Sequence, residues 1–76
     1  MISFEFKTSG DHYPDELEIY LDKEGVNSLI AQLEMLRSER TDHVHLMNNY
    51  WGGSHLAGGA HNSANSAISH VKILMV

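Results

Sequence analysis

Thr41-Asp-His-Val-His-Leu-Met-Asn-Asn-Tyr-Trp-Gly-Gly53 is the stretch whose reading decides the fold. From Asp42 to Met47 the residues alternate, Val44 and Leu46 on one side and His43, His45 and Met47 on the other. A period of two marks a strand with one buried face. From Asn48 the pattern dissolves into glycine, asparagine, serine, histidine and alanine up to Ala67. Hairpin loops usually take two to five residues, so a connection of about twenty stands out. The chain then closes on Ile68 to Val76, a second apolar segment in which Val71, Ile73 and Met75 point one way and His70, Lys72 and Leu74 the other.

Upstream of Thr41 the period changes. Val26, Leu29, Ile30, Leu33 and Leu36 recur at spacings of three and four, one apolar stripe on a helix. Asp22 is its natural N-cap, and Gly25 weakens the first turn by up to about 1 kcal/mol relative to alanine. Before the helix, Leu17, Ile19 and Leu21 alternate with Glu18, Tyr20 and Asp22, and before that Ile2, Phe4 and Phe6 alternate with Ser3, Glu5 and Lys7. Gly10, Asp11 and Pro14 break the chain between these two strands, which a short connection pairs antiparallel. The order is β-β-α-β-β. It predicts an α+β fold: one domain over residues 1–76, with a four-stranded, mainly antiparallel sheet and the helix on one face. Spatial order 1-2-4-3 or 2-1-3-4 satisfies the directions. The last strand, apolar on both faces, suits the centre and favours the first order. The other sheet face is then solvated or covered by a partner.

Net charge is −5, and it is unevenly spread. Residues 1–42 carry every acid and all bases except Lys72, a composition that repels nucleic acid and steers basic proteins. There is no cysteine to staple the domain or seed a zinc knuckle. The first residues lack the basic and apolar regions of a signal peptide, and no apolar run would span a bilayer. A soluble cytoplasmic protein is the expectation.

Catalytic patterns are sparse. The glycines do not form a phosphate loop, there is no nucleophile elbow, and Ser54-His55 lacks an orienting acid nearby in sequence. Asp11, Asp15 and Glu16 belong to an exposed hairpin loop rather than a cleft, which disfavours a paired-carboxylate hydrolase. We therefore expect no enzyme activity and no cofactor. His43, His45 and His70, on neighbouring strands and one face, are the exception. Three imidazoles there could hold zinc with an open fourth position.

Leu17-Glu-Ile-Tyr-Leu-Asp-Lys-Glu-Gly25, Leu29-Ile-Ala-Gln-Leu33, Asp42-His-Val-His-Leu-Met47, Trp51-Gly-Gly53 and His70-Val-Lys-Ile73 together resemble the small immunity proteins of bacterial polymorphic toxin systems, of the immunity protein 32 type. The resemblance covers most of residues 17–76, and the segment 55–67 departs from it. It implies a cytoplasmic antidote that binds a cognate toxin domain and blocks it. On that reading Asp11, Asp15, Glu16 and Glu18 steer a basic target such as a nuclease domain, and Tyr50 and Trp51 supply aromatic contacts. Two other readings stand beside it: a metal-binding protein using His43, His45 and His70, and a homodimer joined through the sheet face that carries Met47 and Leu74. None of the three involves nucleic acid or membrane.

Overall fold

The computed structural model describes residues 1–7 and 16–76, with Trp51 in its backbone alone. The elements are β1 (Ile2–Lys7), β2 (Leu17–Leu21), α1 (Lys23–Arg37), β3 (His43–Met47), a 3₁₀ turn (Asn49–Trp51), β4 (Asn65–Ala67) and β5 (His70–Leu74). The α+β class and the expected strands and helix are present. The single sheet is not. The strands form two sheets, β2-β1-β4 and β3-β5, and every pairing is antiparallel.

The difference arises in the long connection. Asn65 to Ala67 pair with Glu5 to Lys7, so β4 takes the second edge of β1. The chain then crosses between the sheets at Ile68 and Ser69: Ile68 N–H donates to Phe4 O at 2.8 Å, and Asn48 N–H donates to Ser69 O at 3.1 Å. Residues 65–74 are thus one ribbon that serves both sheets, a strand turning a corner rather than ending at one. Traced that way the order is 2-1-4-3, and neither anticipated order occurs.

The core lies where the two sheets meet. Ile2, Phe4, Leu46 and Leu56 are buried there, flanked by Leu21, Leu29, Ile68, Val71 and Ile73. Leu56 is the unexpected member, because it comes from the middle of the polar connection. Its N–H donates to Met47 O at 3.2 Å, and the next residue, Ala57, donates to Ile2 O at 2.8 Å. The 48–67 segment is therefore not a pliable loop. It carries a turn, a strand and a core side chain.

α1 starts where the sequence places it. Asp22 accepts from Gly25 N–H at 2.7 Å and also binds the Met1 amine. The helix turns Gly25, Leu29 and Leu36 inward but leaves Val26, Ile30 and Leu33 substantially exposed, so only part of the expected stripe packs. The glycine has a steric reason. A Cβ on Gly25 would lie 1.9 Å from the carbonyl oxygen of Met1, which passes directly over the first turn. Among the described residues no helix is long and apolar enough to cross a membrane.

Two glycine substitutions separate sterics from helix propensity. Gly25→Ala should lower the urea midpoint, although propensity alone predicts a gain of up to about 1 kcal/mol. Gly59→Ala, where nothing lies within 4 Å of the added carbon, should leave the midpoint close to that of the parent.

Candidate functional site

The polar side of β1 is not solvated. Ser3 and Glu5 alternate with the core residues Ile2 and Phe4, which fixes them to the opposite face of the strand. Residues 61–65 lie over that face, and Glu5 is 0% exposed. Its carboxylate is surrounded by donors. Ser3 Oγ and His61 N–H donate to Oε2 at 2.5 and 2.6 Å, and Asn62 N–H and Asn65 Nδ2 donate to Oε1 at 3.2 and 3.1 Å. Burial pushes the Glu5 carboxyl up, but these four hydrogen bonds outweigh it and hold the group at about 2. The carboxylate stays charged at any pH well above about 2 and its acceptor positions are filled, so it suits a structural clasp more than proton transfer.

Glu18 sits opposite Glu5 on β2 and joins the same network. Asn65 Nδ2 bridges to Glu18 Oε1 at 2.7 Å, and Tyr20 Oη donates to the same oxygen at 2.9 Å. Those two hydrogen bonds hold Glu18 below the ordinary carboxylate range. The Tyr20 ring also lies 4.9 Å from the His61 ring. Glu18, expected as a steering charge, is half-buried and committed to this network. Glu16 is exposed, with Lys7 Nζ at 3.9 Å. Asp11 and Asp15 lie outside the described residues.

The histidine face forms as the alternation predicts, but not as a three-ligand centre. His45 Nδ1 and His70 Nε2 are 2.8 Å apart, a contact that requires one proton between them. His43 stands edge-on to His45 with ring centroids 5.1 Å apart, and its Nδ1 lies 2.6 Å from Asp42 Oδ1. Among the described residues no three histidine, cysteine or acidic side chains are placed to hold a metal ion. The reason is geometric: His43 is drawn to Asp42 at the strand end, and Lys72 stands across from His45. Burial pushes the His45 imidazole below its ordinary value, with the positive charge of His70, His43 and Lys72 acting in the same direction.

Tyr50 presents a different kind of site. It is 86% exposed, yet its backbone is held in an ordered turn. Asn48, buried at the end of β3, caps that turn by accepting from Tyr50 N–H at 3.1 Å. Gly53 N–H donates back to Asn48 O at 3.0 Å, and Gly52 closes the turn with φ +78°, a left-handed conformation that favours glycine. Trp51 is the last residue of the turn. A rigid backbone bearing an exposed tyrosine is well suited to recognition, since little ordering entropy remains to be lost on binding.

Sequence reasoning missed three features here: the Glu5 clasp, the buried Asn48 cap, and His55. The Nδ1 of His55 is buried and has no hydrogen-bond partner among the described residues, beside an open cleft lined by Glu24, Ser28 and Ser54. For Asn48 a signal existed, because asparagine ahead of a tight turn is a recognised capping residue. For Glu5 there was none, since a glutamate in an alternating strand ordinarily faces water.

Two measurements test this description. Glu5→Gln keeps the size but aims an amide N–H₂ at donors, so amide exchange at His61 and Asn62 should accelerate by at least about tenfold. The second concerns pH. The folded state holds His45 below the ordinary 6.5, so the stability it contributes is present above 6.5 and is lost as pH falls through the lower folded value. Glu5 contributes in the same sense but between 4.5 and about 2, well separated from the histidine window. Urea midpoints should therefore fall on acidification below 6.5, and His45→Gln should flatten that fall while preserving the steeper loss at lower pH. Set against known proteins, the chain matches no family model, no curated protein and no solved structure.

Proposed function

We propose that this chain is an immunity-type inhibitor: a small cytoplasmic bacterial protein that binds a cognate toxin domain and blocks it, with no chemistry of its own. The observation that carries the reading is Tyr50, almost fully exposed on a turn whose backbone is fixed by the buried Asn48. Exposed aromatic anchors on preorganised backbone are the common currency of tight protein recognition. The resemblance of residues 17–25, 29–33, 42–47, 51–53 and 70–73 to immunity proteins of polymorphic toxin systems supports the same reading. So does the charge, −5 overall with the acids confined to the first 42 residues, which favours fast association with a basic toxin such as a nuclease domain.

The target follows from gene arrangement in such systems: a neighbouring gene for a large secreted protein with a variable C-terminal domain. Co-expression of this chain should restore growth to cells making that domain. Tyr50→Ala should weaken binding by about 2 kcal/mol, roughly thirtyfold in Kd, with little change in melting temperature because the side chain is solvated. Growth that is not restored, or affinity indifferent to Tyr50→Ala, would count against the reading and the site respectively.

A further inference from the structure

β2 is the outer strand of its sheet: among the described residues it pairs with β1 on one side and with no strand on the other. Open edges invite another strand, and folded proteins usually block them with lysine, proline or a bulge. β2 has none of these, and its one charge, Glu18, is already committed to Asn65 and Tyr20. Its sequence is Leu17-Glu18-Ile19-Tyr20-Leu21, and Leu17 and Ile19 are 47% and 46% exposed.

The five residues are a palindrome in chemical character about Ile19. Laid antiparallel against itself with Ile19 at the centre, the strand sets Ile19 opposite Ile19 and Leu17 opposite Leu21. Glu18 falls opposite Tyr20, a carboxylate facing a phenol, and never opposite another Glu18. A one-residue slip would place leucines and isoleucine against the polar row, so the register is well specified. The ends do not oppose the arrangement strongly. Glu16 comes opposite Asp22, whose charge is already offset by the Met1 amine and Gly25 N–H.

We infer that β2 pairs with the β2 of a second copy about a two-fold axis through Ile19, joining two three-stranded sheets into one of six strands. Both halves gain apolar neighbours. Within one copy the apolar row on this face runs from Ile2 and Leu21 at the buried end to Phe6 and Leu17, which are half exposed. The two-fold axis brings the exposed end of each copy beside the buried end of the other. This is an isologous contact, closed by symmetry, and it leaves no open edge at β2. A strand of five residues spans only about 17 Å, so the interface sits at the small end of the specific range and the dimer should be in concentration-dependent exchange with monomer. The inference is drawn from β2 alone and does not rest on the proposed toxin binding.

Sedimentation equilibrium from about 5 to about 500 µM tests it, since a reversible dimer responds to concentration by mass action. The weight-average mass should climb from 8.5 kDa toward twice that value. Ile19→Lys places two ammonium groups at the axis and should hold the protein at monomer mass throughout, with an unchanged circular dichroism spectrum because Ile19 is half exposed. The chain contains no cysteine, so Ile19→Cys provides a unique reporter that should form a disulfide-linked dimer on mild oxidation, far faster than Leu74→Cys on another exposed position. Three results would each overturn the inference. They are monomer mass at every concentration, a dimer that survives Ile19→Lys, and cross-linking of Ile19→Cys no faster than that of Leu74→Cys.

Discussion

The charge on Glu5 organises the second half of this protein. A carboxylate buried on the far side of the first strand must be supplied with donors or it will not stay there, and four of them come from Ser3, His61, Asn62 and Asn65. Satisfying it draws residues 61–65 across the sheet. Once they are there, Ala57 bonds to Ile2, Leu56 drops into the core, and Asn65 to Ala67 align along the free edge of β1. A domain of this size, without disulfides and with four residues at its buried centre, has little apolar burial to spare. An ionised group that holds a whole segment by its backbone amides substitutes for the missing core.

The sequence was most informative where one periodicity dominates. Alternation located β1, β2, β3 and β5, and the three-and-four spacing with Asp22 ahead of it located α1. It was silent where local preference and tertiary context disagree. Asn65, Ser66 and Ala67 have weak strand propensity and form β4 because β1 offers them a partner. Leu56 is a lone apolar residue in a polar run, and no period announces a single side chain. Three of the five residues of the helix stripe stay exposed for a related reason. Periodicity shows which residues share a face, but Val26, Ile30 and Leu33 lie just beyond the part of that face that the small core reaches.

The candidate site divides in the same way. That His45 and His70 would meet followed from strand pairing, whereas the preference of His43 for Asp42 is a contact between sequence neighbours that strand pairing does not predict. Tyr50 was recognisable as an aromatic at the start of an irregular segment, but not as a side chain on rigid backbone, because that depends on the burial of Asn48. Glu18 looked like a surface charge until Asn65, 47 positions away, was brought beside it.

That separation has a consequence for how the chain closes on itself. The contacts that complete β1 join positions 56 to 60 residues apart, as in Glu5 with His61, Asn62 and Asn65. β1 can therefore pair with β2 through a short connection, but its second edge waits for residues more than fifty positions further along. Until residues 61–68 dock, Glu5 remains hydrated, the second edge of β1 is open, and Phe4 O lacks the Ile68 N–H that donates to it. Closing this one long loop carries an entropic cost that forming the helix, with its local contacts, does not.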